Sequence, residues 1–145
     1  MSTHLMNIQE RTTSPQFYEN LETPEVYGIY HRYTQRLLFV CESEDLAGTD
    51  FSEQDLIEAD LSNLCLESCS FAGATLIASD LRQADLRNAN FLGADLSLAK
   101  IDGALLQGAI YDETTVWPLN FSPESNGCRR QASMKHAKSW WNFWG

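Results

Sequence analysis

The chain has 145 residues and a formal net charge of −10, a length that makes one domain and a charge balance that argues against affinity for nucleic acid. No apolar run approaches the about 18 residues of a membrane span and the first residues carry no apolar signal core, so a cytoplasmic protein is expected and a membrane partner is not. Cys41, Cys65, Cys69 and Cys128 show no C-x-x-C pairing and His4, His31 and His136 stand far apart, so no metal or other cofactor is expected.

In chain order, residues 1–41 form an arm and a cap. The first 22 are polar and mixed, and such a segment orders only against something else. From Thr23 the signal changes. Thr23 and Pro24 resemble a helix start, with Val26, Ile29, Tyr30, Tyr33 and Leu37 on one helical face. A hairpin fits as well, with 26–33 and 37–42 pairing across Thr34-Gln35-Arg36. Either form carries too much apolar surface to stay free, and covering the open end of the neighbouring coil is its simplest use.

Residues 42–113 are a repeat array. Every fifth residue over 46–111 is large and apolar: Leu46, Phe51, Leu56, Leu61, Leu66, Phe71, Leu76, Leu81, Leu86, Phe91, Leu96, Ile101, Leu106 and Tyr111. A helical stripe needs spacings of three and four and a half-buried strand needs two, so a period of five requires a chain that turns a corner every five residues. The aromatics Phe51, Phe71, Phe91 and Tyr111 recur every twenty residues, which predicts a four-sided coil with those rings stacked as a core ladder. The position two before each centre also points inward and is small in Ala59, Ala74, Ser79, Ala84, Ala89, Ala94, Ala99, Ala104 and Ala109. Glu44, Thr49, Gln54, Leu64 and Cys69 break that rule, so the first coil is expected to be irregular or covered. Cys69 reads as a core thiol and Cys65 as outward-facing.

The recurring unit is Ala, then Asp or Asn, then Leu or Phe, then two free positions, as in Ala84-Asp85-Leu86-Arg87-Asn88 and Ala89-Asn90-Phe91-Leu92-Gly93. It resembles the pentapeptide-repeat family over about half the chain. That resemblance implies an all-β solenoid, a right-handed quadrilateral β-helix, here of about three and a half coils. The run from Tyr111 to Pro118, and after it Phe121, Pro123 and Gly127, is similar to the segment that closes the last coil in many cyanobacterial members.

Outward residues on such a coil diverge on nearly flat faces, whereas catalysis needs groups that converge in a concavity; an enzyme is not expected. Asp60, Asp80 and Lys100 share a column, Arg82 and Asp102 stand on the next, and Glu67 aligns with Arg87, all read as cross-strand charge pairing. One wall differs. The third face presents Ile57, Glu58, Ile77, Ala78, Ser97 and Leu98, with Leu92 at the neighbouring corner. This apolar strip is a candidate partner-binding wall, or it reflects only the suitability of branched residues for strands.

Residues 114–145 comprise the closing segment and a Trp-rich end. Met134, Ala137, Trp141 and Trp144 align at spacings of three and four, with Trp140 and Phe143 beside them and Lys135 and Lys138 mostly elsewhere, which predicts an amphipathic helix. Its aromatic face needs a burial partner: its own last coil or acidic wall, the same helix of a second chain, or a membrane interface, in that order of expectation.

Residues 42–113 hold fifteen acids against three bases, a balance of −12, while 114–145 hold one acid against four bases. The leading expectation is a monomeric, non-catalytic protein-binding or scaffold module with an unidentified protein partner and no direct nucleic-acid binding by the solenoid. The alternative is an acidic DNA mimic acting on DNA gyrase, as some members of the resembled family do. Three and a half coils at about 4.8 Å per coil span half of one DNA turn of about 34 Å, so mimicry requires a dimer through Trp140, Trp141 and Trp144.

Overall fold

A computed structural model describes residues 5–7 and 26–132. The repeat folds into a four-sided coil whose levels are joined by a parallel backbone ladder. Phe51 N–H donates to the Ser70 carbonyl (2.7 Å) and Ser70 N–H returns to the Thr49 carbonyl (3.0 Å). The same exchange recurs on all four sides, so bridge partners lie twenty residues apart: Asp50 with Ser70, Asp55 with Thr75, Asp60 with Asp80 and Cys65 with Asp85. Each corner is a tight turn closed across three residues, as from Ala74 N–H to the Phe71 carbonyl (3.0 Å).

The interior is set by that geometry. Phe51, Leu56, Leu61, Leu66, Phe71, Leu76, Leu81, Leu86 and Phe91 are fully buried, and the inward column holds Ala59, Cys69, Ala84 and Ala89 at no exposure, with Leu64 at 8 %. Phe51 stacks on Phe71 with ring centroids 5.1 Å apart and Phe71 on Phe91 at 5.3 Å, the planes within 10° and 7° of parallel. Offset-parallel rings at this spacing add to the burial of their area.

Both ends of the ladder are finished by rings from outside the repeat. Phe39 lies tilted on Phe51 at 4.8 Å. At the other end Trp117 meets Phe91 edge-on at 5.5 Å, and Tyr111 packs against Trp117 at 5.8 Å. Trp117 therefore supplies the ring that meets Phe91, where the twenty-residue period predicts Tyr111. The backbone at Tyr111 keeps the twenty-residue register, with Ile110 bridging Asn90, and the register changes only after it: Asp95 bridges Val116, twenty-one residues on, and the Asp112 to Thr115 turn absorbs the extra residue (Thr115 N–H to the Asp112 carbonyl, 3.2 Å). Tyr111 stays buried and turns its hydroxyl to Glu124.

Between the helical and hairpin alternatives for the segment before the repeat, the hairpin forms. Strands β1 (Met6–Asn7), β2 (Tyr27–Tyr30) and β3 (Leu37–Cys41) make an antiparallel sheet in that order. Residues rich in β-branched and aromatic side chains favour this over a helix once a sheet edge is there to receive them. The end of β2 runs onto the open edge of the first coil: Asp60 N–H donates to the Tyr30 carbonyl and Arg32 N–H to the Glu58 carbonyl, both at 2.9 Å.

After Val116 the chain crosses beneath the core through Trp117 and Phe121 to a short 3-10 turn at Glu124–Asn126 that ends on left-handed Gly127. Strand β5 (Arg129–Arg130) then pairs in parallel with β4 (Ile110–Tyr111). Among the described residues there is no α-helix. Met134, Trp140, Trp141 and Trp144, and with them the expected amphipathic helix, lie outside the described residues.

Candidate interaction surface

On the third face, Ile57 is 39 % exposed, Ile77 is half-buried and Leu98 is 75 % exposed, while Leu92 at the adjoining corner is half-buried. Adjacent levels are tied by backbone bonds, Glu58 N–H to the Ile77 carbonyl (2.9 Å) and Ala78 N–H to the Ser97 carbonyl (2.8 Å). The ladder continues to Val116, which is 45 % exposed, and the closing loop adds Leu119 at 91 %. The five-residue rule assigns a place to neither Val116 nor Leu119, because the inserted residue breaks it just before them.

Leu98 also carries a backbone cost. Every corner from Gly48 to Gly108 places one residue in the left-handed region, and glycine or asparagine fills many of these positions, as at Gly73, Gly93, Gly103, Asn63 and Asn88. At Gly73 a β-carbon would sit 2.2 Å from the carboxylate end of the exposed Glu53 side chain, which can swing aside, so the backbone conformation rather than space favours glycine there. Leu98 occupies the same kind of corner at φ 60°, a conformation costing a large side chain on the order of 1 kcal/mol. This corner column was missed in the sequence, where its Gly and Asn content is the signal that marks it, and Leu98 is the large apolar residue in it.

Charged groups surround this strip, and Glu58 stands within it beside Ile57. Asp80, only 4 % exposed, accepts from Arg82 Nε (2.9 Å) and its terminal nitrogen (2.7 Å), and Arg32 approaches at 3.8 Å. Hydrogen bonds from Arg82 hold the Asp80 carboxyl below the usual carboxylate range, assisted by the charges of Arg82 and Arg32. The sequence aligned Asp80 with Lys100; the backbones do bridge, but the carboxylate takes the arginine two residues along its own chain and one from the hairpin. Asp85 is likewise held down by Arg87 (2.6 Å), which also reaches Glu67 at 3.7 Å. His31 pairs with Glu58 at 2.8 Å, so the hairpin is clamped to the coil through the side chains of both His31 and Arg32.

Cys65 is exposed, whereas Cys41, Cys69 and Cys128 are buried, and burial pushes these three thiols up to about 11. Among the described residues no group of His, Cys, Asp and Glu is arranged to hold a metal ion, and no helix is long and apolar enough to cross a membrane.

A family model described as pentapeptide repeats matches residues 45–71 and 69–108. No curated protein matches the sequence closely enough to count as a relative. Among solved structures, the chain is similar to alr5209, a pentapeptide repeat protein from Nostoc Pcc 7120, at 34 % identity over 59 % of this chain and 75 % of that one, with a TM-score of 0.39. It is similar also to a pentapeptide repeat protein of the Arabidopsis thaliana thylakoid lumen, at 33 % identity over 58 % and 59 % of the two chains (TM-score 0.33). A third, Rfr23 from the cyanobacterium Cyanothece 51142, is 32 % identical over 48 % and 54 % (TM-score 0.22). With its unbroken five-residue repeat and the twenty-residue ladder that the repeat builds, the chain belongs to the pentapeptide-repeat family.

Proposed function

We propose that the protein is a non-catalytic binding or scaffold module that engages another protein through the walls of its solenoid. The observation that carries this reading is the wall geometry. Side chains leave the coil in straight, diverging columns fixed by the twenty-residue ladder, an arrangement suited to contact with a broad surface and unsuited to closing around a reacting group. Fifteen acids against three bases over 42–113 make a surface with positive patches the matching partner. In the same reading the hairpin caps the first coil, and 133–145 supply an amphipathic helix. Replacing Glu53 and Asp102, both exposed, by Lys tests the reading. A partner held by the parent protein should be released by these variants, and equal retention by both would remove the acidic walls from consideration.

The acidity also favours the DNA-mimic reading enough to test it. From Asp50 to Arg129 the ladder has five levels along one column, four spacings or about 19 Å, against about 34 Å for one DNA turn. Inhibition of gyrase supercoiling by a sedimenting dimer would favour mimicry. A monomer without effect would leave the binding module.

A further inference from the structure

We propose that the apolar strip of the third face is the docking site of this chain's own C-terminal segment, residues 133–145. Four observations converge on that occupant. The first is the strip itself, where Ile57, Leu98 and Val116 are exposed on the first, third and fourth levels and half-buried Ile77 fills the second, although many equivalent positions on the other walls carry polar residues. The second is Leu98, which is held at φ 60° while 75 % exposed. Exposed Glu53 and Gln83 take the same left-handed corner conformation, so what sets Leu98 apart is a large apolar side chain there, whose burial under a cover is favourable.

The third is where the described chain ends. Strand β5 runs parallel to β4, and Gln131 N–H donates to the Tyr111 carbonyl (2.7 Å). The chain is thus heading for the corner after Tyr111, beyond which the next face is the strip. From the level of β5, where the described chain ends, to the Asp55 level is four ladder steps, about 19 Å. The thirteen residues after Ala132 span about 20 Å as a helix, so the segment is long enough to cover the strip from bottom to top without a linker.

The fourth is complementarity. Met134, Ala137, Trp141 and Trp144 recur at helical spacing, with Lys138 at the margin of that stripe beside Met134 and Lys135 off it. The strip is bordered by the acids Asp55 and Asp95, whose carboxylates accept from Ile57 N–H (3.2 Å) and Ser97 N–H (2.9 Å), and Glu58 beside Ile57 pairs with His31. An apolar seam edged by carboxylates matches an apolar helix face edged by lysines. Docking in cis stands whether or not any wall recruits a partner, and where one does, that partner competes with the tail for the strip.

Hydrogen exchange on the full-length protein, read by mass spectrometry over 133–145, tests this directly. The tail amides should exchange at least about tenfold more slowly than in free chain, at every protein concentration in a wide dilution series. Leu98→Asn, which suits the left-handed corner, and Ile77→Lys should each abolish that protection and shift the Trp emission to longer wavelength, with solenoid amides still protected. Unprotected tail amides in the parent would overturn the proposal. So would protection that survives both substitutions, which places the tail elsewhere. Protection that fades on dilution would also overturn it, by making a second copy of the chain the occupant.

Discussion

Phe39, from the hairpin, lies on Phe51, the first ring of the repeat, at 4.8 Å. The aromatic column thus begins before the repeat does, and the N-terminal sheet and the solenoid share one core. Phe71 sits between Phe51 and Phe91 in that column with no exposure. Phe71→Ala should lower stability by about 3–5 kcal/mol, and Phe39→Ala, at the half-buried end, by less. Thermal or denaturant unfolding checks both, and equal losses would mean that Phe39 is as enclosed as the middle ring.

Ser79 offers a gain. Its hydroxyl is fully buried and has no hydrogen-bond partner among the described residues, while the levels above and below carry Ala59 and Ala99 in the same column. Ser79→Ala removes a desolvated hydroxyl at almost constant shape and should stabilise by about 1 kcal/mol. A fall in melting temperature would show that the hydroxyl has a partner after all.

Acid sensitivity should trace to Asp80. Its carboxyl is held below the usual range by Arg82, so the folded state binds this proton less readily than the unfolded chain. The stability it contributes is therefore present above the unfolded value of about 3.9 and is lost as pH falls through the lower folded value. Asp80→Asn keeps an acceptor for the Arg82 backbone N–H, 3.2 Å away, and removes the charge. It should cost about 1–3 kcal/mol at neutral pH and flatten the decline in melting temperature below about pH 4. An unchanged acid limb would assign that decline to other carboxylates such as Asp85.

The four thiols divide cleanly. Under native conditions a thiol reagent should modify Cys65 alone, because Cys41, Cys69 and Cys128 are buried with their ionisation pushed up to about 11 and the thiolate is the reactive form. Intact mass after labelling reads this as one adduct folded and four in denaturant. Rapid native labelling of Cys69 would show that the first coil opens locally.

The coil was legible because its period is a spatial constraint: each corner must recur after five residues or the ladder fails, so Leu56, Leu76 and Leu96 declare the same wall at sight. The parts that were not legible lie where that constraint stops. Phe39 reaches Phe51 from a strand whose register bears no relation to the repeat. Trp117 meets Phe91 edge-on from beyond the Asp112 turn, where one inserted residue ends the count, although Tyr111 itself keeps the twenty-residue register. Asp80 was aligned by column with Lys100, but a flexible arginine two residues away reaches it at lower cost than a lysine across the ladder. On the third face, the rule placed Ile57, Ile77 and Leu98 outward, whereas the left-handed backbone of Leu98 required knowing which residue of each corner takes positive φ.

The ladder that joins Asp60 to Asp80 and Asp80 to Lys100 also sets how such a protein can change length. Adding or deleting twenty residues would lengthen or shorten the rod by one storey and leave its two ends facing as before. Adding five would keep every local turn intact and yet rotate the closing segment by a quarter turn relative to the hairpin, carrying the tail's point of departure to a different wall. Variation in length is therefore quantised, and the angular relation between the two ends is inherited in whole coils or not at all.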